Sequence, residues 1–563
     1  MSDKQSLPRP AAAAAAYSSR WKRPLIAGVI LSLYLISRIA LLFSNSSADK
    51  AAADSPIQCP AQAPSLPSPA IPFRVPDGSI ERWSESVTYP TISYDDFREP
   101  GNDTRYDTFP PFYAFLQRAF PAVHATLSHE TVNHYGNLYE WRGSDASLKP
   151  LILMAHADVV PVDPTSVDRW DAPPFSGHID PDGWVHGRGA GDCKNLLLSI
   201  YEVIEGLINA GFTPRRTIIL SFGFDEEISG PRGAKHLSER IHDKYATSDS
   251  DSDIAIAVLD EGGLLDLHSH STPFALPAVK EKGYLDVKVS VATRGGHSSI
   301  PPPHTSIGYL AQLIAHMEAH PHAPHLAVEN PFTTHLQCLL EHSPASLDAI
   351  DPHLRQQLPN TRLWGEAART VAEHDVRDRY LIQTSQAADL IAGGVKVNAL
   401  PEVASAVFNQ RIDVAGSVHG LKEHLTSLLQ PYAEELGMAF VGFDGKLVGD
   451  AELGVGTVQV EVFGSPLDPA PNTPTSGHVW DTLVGSLRNV FGGDLVVSPH
   501  LMAGNTDTRH YWRLTRNIFR FEAFDASLTK DIHTVNERVH KDAHIQSMSF
   551  LHQFIQQLDS LDA

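Results

Sequence analysis

Each short apolar run in the first half of this chain stops at a histidine or an acid, and that regularity limits the fold more than any other feature. Residues 151–155 suit a buried strand and lead into His156 and Asp158. Residues 217–224 lead into Glu226 and Glu227, and 254–259 lead into Asp260. Between them, 194–209 carries Leu197, Ile200, Tyr201, Ile204 and Ile208 on one helical face, with Asp192 just ahead and Gly211 just past the end as a stop. Alternating strand-like and helix-like segments predict an α/β domain. In an open α/β sheet ligands gather at the strand C-termini. Singly, each of these residues reads as a helix cap or a solvated loop acid, and His-x-acid triplets recur at His178/Asp180 and His540/Asp542. Four such groups at four strand ends or helix starts form a constellation.

Beyond residue 283 the pattern changes. Leu285, Val287, Val289 and Val291 alternate with Asp286, Lys288 and Ser290, which predicts a strand with one wet face. A helix over 305–317, a polar His/Pro-rich stretch, a strand over 404–412 and a helix over 418–436 follow. The expectation is a catalytic domain in two parts, 83–282 and 466–563, with an inserted α+β lid domain over 283–465. The second part ends in an amphipathic helix near 540–558.

The N-terminus reads as a separate unit. A basic head over 1–23 holds Arg20, Lys22 and Arg23 and precedes an apolar stretch over 24–44. About 20 apolar residues span a bilayer, so a membrane-spanning signal anchor is expected, with Arg38 snorkelling toward the interface. A cleaved signal peptide is the rival reading, because the unbroken run covers only 25–37. Positive charge ahead of the span predicts a single-pass type II topology with a lumenal catalytic domain. Seven prolines between Pro56 and Pro76 make 45–82 an extended stalk. Asn45 and Asn102 head glycosylation sequons.

Lys plus Arg number 44 against 66 Asp plus Glu, a formal charge of −22, which excludes a general nucleic-acid binder. Three cysteines exclude a disulfide-built scaffold. Pairing of Cys59 with Cys338 stays open, and Cys193 is either a small buried thiol or an extra soft ligand. GRGAGD fails as a dinucleotide loop: its third glycine is out of register with the fingerprint, and Asp192 stands where a pyrophosphate would approach.

The strings LILMAHADVVPV, DAPPFSG, GRGAGDCKN, SFGFDEEISG, VLDEGG, TRGGHSSIPP, MAGNTDTRHYWRL and IHTVNERV follow one another through the chain. In that order they resemble the aminoacylase/carboxypeptidase S family of di-zinc metallopeptidases, closest to the fungal vacuolar carboxypeptidase S branch. The resemblance implies a zinc-exopeptidase-like α/β catalytic domain and two Zn²⁺ per subunit. His156, Asp192 and Asp260 would hold one ion; Asp192, Glu227 and His533 the other, with Asp192 bridging. Glu226 would be the general base and Asp158 would orient His156. His297 would stabilise the oxyanion, reaching a neighbouring subunit's site, which is compatible with a homodimer. Asn398 and Arg411 would bind substrate, Arg411 through the α-carboxylate, and Gly504 would line the pocket. The implied activity is a metallocarboxypeptidase releasing C-terminal amino acids from short peptides, and the vacuolar address follows from family branch plus anchor alone. The same-site alternative is an N-acyl-amino-acid amidohydrolase acting on N-acyl amino acids. The different-class alternative is a catalytically silent membrane-anchored binding ectodomain.

Overall fold

The computed structural model describes residues 57–248, 252–450 and 455–562. The expected anchor over 24–44 and the Asn45 sequon lie outside the described residues. Among the described residues no helix is long and apolar enough to cross a membrane.

Four parallel strands form the centre of a ten-stranded sheet, in the order Ile218–Gly223, Leu151–His156, Ala257–Asp266, Ile518–Asp525. Antiparallel strands Ser128–Val132 and Gly136–Trp141 extend one side. Both faces are covered, so these strands read as unbroken apolar runs. Leu151, Leu153 and Ala155 pack toward the helices Lys194–Asn209, His478–Phe491 and Lys541–Asp559. Ile152 and Met154 pack with Leu237 and Ile241 of the helix Ala234–Tyr245 on the other face. The first of those helices runs over the residues its periodicity marks, and Gly211 just beyond it takes φ +79°, a left-handed stop.

A six-stranded sheet forms the inserted domain. Its order is Ala387–Gly393, Val403–Ile412, Gly283–Thr293, Gly456–Leu467, Ala439–Val441, Leu447–Val448. Leu285, Val287, Val289 and Val291 are buried in one core with residues of the helices Ser306–Ala319 and Val418–Glu435. Lys288 on the opposite face pairs with Glu461 at 3.0 Å.

Two segments differ from expectation. The His/Pro-rich stretch holds helices, among them Pro331–His342, Pro344–Ile350 and Trp364–His374. They share a core with Phe274, Val496 and Leu501 of the large sheet, so 283–465 does not fold as one lid. The reason lies in the prolines: Pro331 and Pro344 sit in the first turn of their helices, where the missing N–H costs nothing. The stalk, from Ile57 onward, is not a free tether. Cys59 is disulfide-bonded to Cys338, and Gln62 exchanges bonds with the Val497 backbone at 2.8 and 3.1 Å. Leu66 N–H donates to Gly485 C=O at 3.0 Å. Trp83, in the helix Ser79–Val87, is fully buried in the main core.

Candidate metal centre

The C-terminal ends of the parallel strands converge on one cluster. His156 ends its strand, and Glu226 and Glu227 lie in the turn Glu226–Ile228 after the neighbouring one. Asp192 precedes the helix Lys194–Asn209 across a cis bond to Cys193, and His533 comes from a loop after the last strand, at φ +61°.

Asp192 stands between the two histidines. Its Oδ1 lies 2.9 Å from His156 Nε2 and its Oδ2 lies 3.1 Å from His533 Nε2. His533 Nε2 is also 3.2 Å from Glu227 Oε2. One carboxylate offering an oxygen to each of two imidazole clusters is the donor arrangement of a bridging ligand between two cations. His156 Nδ1 lies 3.0 Å from the Asp158 carbonyl and 3.3 Å from its carboxylate, so donating there leaves the Nε2 lone pair free for a metal. The Asp158 carboxylate also accepts the backbone N–H groups of Glu226 and Glu227, both at 3.1 Å, and the Ser93 hydroxyl at 2.7 Å. It thus ties the His156 strand end to the turn that carries the candidate base.

Asp260 does not join this cluster. Side chains alternate across a strand, and within Ala257–Asp266 it is Glu261 whose Oε1 comes 3.5 Å from His156 Nε2. Asp260 is buried, stands in register with Arg520, and keeps Oδ2 without a partner among the described residues. Cys193 Sγ lies close to His156 and Glu261. Burial pushes its thiol well up.

Electrostatics mark the cluster as a cation site. Burial, then the neighbouring Glu261, pushes Glu226 well above the carboxylate range. Burial, then Asp192, raises Glu261 to about 8 and raises Glu227 as well, His533 opposing the latter. Burial also works against Asp192, but the bonds from His156 and His533 win and hold it well below the usual range. His533 is raised to about 10 by Asp192 and Glu227. Four carboxylates against two imidazoles leave an excess of buried negative charge that divalent cations relieve.

Glycines make the Asp192 loop. Gly189 takes φ +85°, and a Cβ on Gly191 would come 2.4 Å from Ile532 Cδ1, beside the His533 loop. Glu537, fully buried, accepts the N–H groups of Gly189 and Gly191 at 3.0 Å each and pairs with Arg188 at 2.5 Å. Sequence reading assigned nothing to Glu537 or Glu261, although both lie inside the quoted strings IHTVNERV and VLDEGG.

A cavity of about 490 Å³ is lined by Glu226, Glu227 and His533 together with Arg411, Gly504 and Asn505. A Cβ on Gly504 would meet nothing within 4 Å, so the loop leaves open space there. His297 and Asn398 are elsewhere. They sit together on the exposed ribbon of Gly296–His297 with Ala399–Leu400, Ser298 N–H donating to Asn398 C=O at 3.4 Å, and neither lines the cavity.

Residues 152–557 match the family model "Peptidase family M20/M25/M40". The chain is 38% identical over 495 residues to carboxypeptidase S of Saccharomyces cerevisiae, covering 85% of this chain and 84% of that one. It is 31% identical over 485 residues to the N-fatty-acyl-amino acid synthase/hydrolase PM20D1 of Bos taurus, covering 84% and 86%. Among solved structures, the M20 family metallo-carboxypeptidase Sso-CP2 from Sulfolobus solfataricus superposes with TM-score 0.56 at 17% identity, covering 86% of this chain and all of that one. At that identity the likeness is one of fold.

Proposed function

The chain belongs to peptidase family M20/M25/M40, and from that premise we propose how its site works as a zinc metallocarboxypeptidase. The protein is a metal-dependent hydrolase that releases C-terminal amino acids from peptides. The single observation that carries the two-ion reading is Asp192, with one oxygen toward each imidazole. His156, Asp192 and Glu261 would hold one Zn²⁺; Asp192, Glu227 and His533 would hold the other. Nitrogen and carboxylate donors suit zinc. Bound zinc supplies Lewis acidity, making water acidic and the scissile carbonyl electrophilic.

The chain's own residues do the rest. Glu226 takes the proton from the attacking water and delivers it to the departing amine. Asp158 fixes the tautomer and direction of His156. Arg411 pairs with the substrate α-carboxylate, and Gly504 leaves room for the chain leading to it. His297 steadies the oxyanion and Asn398 assists in binding, both delivered from a second copy of the chain. In support, the lid edge strand Ala387–Gly393 is exposed along its length; Ile391 within it and Val395 and Val397 just after it are 70%, 99% and 97% exposed. An unpaired, apolar strand edge is a surface that a partner covers.

Peptides are favoured over fatty-acyl amino acids because none of the described residues lining the cavity is aliphatic, whereas an acyl chain needs apolar walls. The Cys59–Cys338 bond supports a lumenal, oxidising location such as the vacuole, reached through the 24–44 anchor. The test is to compare the zinc-loaded protein on N-blocked dipeptides and on N-fatty-acyl amino acids. Dipeptide turnover, lost with a chelator and restored by zinc, is expected. The reverse preference replaces the reading with the N-acyl-amino-acid hydrolase, and no turnover of either class removes it.

A further inference from the structure

Two arginines, not one, face the cavity over the metal cluster. Arg411 reaches it from the lid strand Val403–Ile412, and Arg509 from the turn Asp507–His510 of the catalytic domain. Both stand by Tyr284, their guanidinium carbons 5.5 and 5.2 Å from the ring centre. Arg411 Nη1 donates to Asn505 Oδ1 and Arg509 Nη2 to the Tyr284 hydroxyl, each at 3.0 Å. These partners are neutral. Among the described residues neither guanidinium has a carboxylate within ion-pair distance, whereas the buried Arg188 and Arg520 pair with Glu537 and Glu281. The cavity's one other acid on this side, Asp286, is engaged by Asn409 Nδ2 at 2.6 Å. Each fork therefore keeps most of its five donors for an anion from outside.

One fork suffices for an α-carboxylate. We infer that Arg509 is a specificity-determining residue that binds the side-chain carboxylate of a C-terminal Asp or Glu, while Arg411 holds the α-carboxylate. The inference rests on the carboxypeptidase reading above and names the substrate class of that same site. Arg411 and Arg509 approach from different domains, so a residue carrying two carboxylates bridges the lid to the catalytic domain.

The test is kcat/KM of the zinc-loaded enzyme on N-blocked Gly-Glu, Gly-Gln and Gly-Leu. Glu and Gln share a shape and differ in charge, and charge-assisted hydrogen bonds are about twice as strong as neutral ones, so Glu should lead Gln by roughly tenfold or more. Arg509→Gln should bring the Glu:Gln ratio to about one, Arg509→Lys should restore part of it, and Arg411→Gln should depress all three substrates. If the wild type cuts Gly-Gln and Gly-Leu as well as Gly-Glu, the inference falls and the carboxypeptidase reading stands. An equal loss on all three substrates in Arg509→Gln makes Arg509 a mere prop for Tyr284 and also overturns it. No turnover of any dipeptide overturns both.

Discussion

Replacing Glu537 by Gln should damage the metal site without touching a metal ligand. The side chain is fully buried, and one oxygen receives Gly189 and Gly191 N–H at 3.0 Å each while the other receives Arg188. Glutamine keeps the shape and can still accept from the glycines, but its amide turns an N–H toward the guanidinium. Arg188 is 4% exposed and its Nε already lacks a partner, so its charge would be left buried and unpaired. Breaking a buried pair from one side costs about 3–5 kcal/mol, a large share of a folding stability of roughly 5–15 kcal/mol. The Gly187–Asp192 loop and the His533 loop meet through this one carboxylate, so zinc affinity should fall about 10–100-fold, as for other groups that support ligands from behind. Stability is read by urea unfolding of chelated protein, which removes the contribution of bound zinc. Affinity is read by competition with a chromophoric chelator. Arg188→Met added to Glu537→Gln should recover part of the stability, because the stranded charge is gone. A single variant within about 1 kcal/mol of wild type and with unchanged zinc affinity would refute the clamp.

Other outcomes follow from the same geometry. Glu226→Gln should lower kcat by about 10²–10⁴-fold with zinc content intact, whereas Glu227→Gln should lose metal; the reverse pattern in metal analysis swaps their roles. Glu261→Gln should weaken zinc binding more than Asp260→Asn does, and equal zinc titrations for the two would return Asp260 to the ligand set. If His297 comes from a second copy, mixing inactive His297→Ala and Glu226→Gln subunits should restore about a quarter of wild-type activity, since half the dimers then hold one intact site. No recovery would place His297 in its own subunit's site. Burial lowers His544 to about 3, so its contribution to stability is present above an unfolded pKa of about 6.5 and is lost as pH falls toward 3. His544→Gln should flatten the fall in unfolding free energy, read from urea titrations between pH 6.5 and 5, by up to about 1.4 kcal/mol per pH unit, and an unchanged slope would refute this.

The catalytic strands and helices were legible because each is uniformly buried or strictly periodic. The 194–209 helix and the alternating strand from 283 appear over the residues their periods mark. Choosing Asp260 over Glu261 failed for a physical reason. Alternation reveals which residue faces a site only when one face is polar, and Ala257, Val258 and Leu259 are all buried, leaving no phase to count from. Glu537 was hidden because a buried acid that binds backbone N–H groups leaves no period and no partner nearby in sequence; Arg188 lies 349 residues away. Proline content after residue 56 predicts extended backbone, but composition does not say whether such a segment is solvated or held. Here glutamine side chains and one disulfide hold it.

The distribution of charge across the cavity also orders the events within it. The catalytic domain contributes Asp192, Glu226, Glu227 and Glu261, so without cations the floor of the site is negative. Arg411 and Arg509 line the same cavity. A peptide C-terminus is itself an anion, and close to that floor it meets repulsion that its arginine partners only partly offset. Two divalent cations would cancel the charge of these four carboxylates and leave the arginines unchanged, so a loaded site would no longer repel the anion that the arginines attract. The formal charge of −22 does not override this, because interactions beyond about 8–10 Å are largely screened at physiological salt. If these carboxylates hold the metals as proposed, they would also keep anionic peptides out of an empty site, and metal loading would precede productive substrate binding.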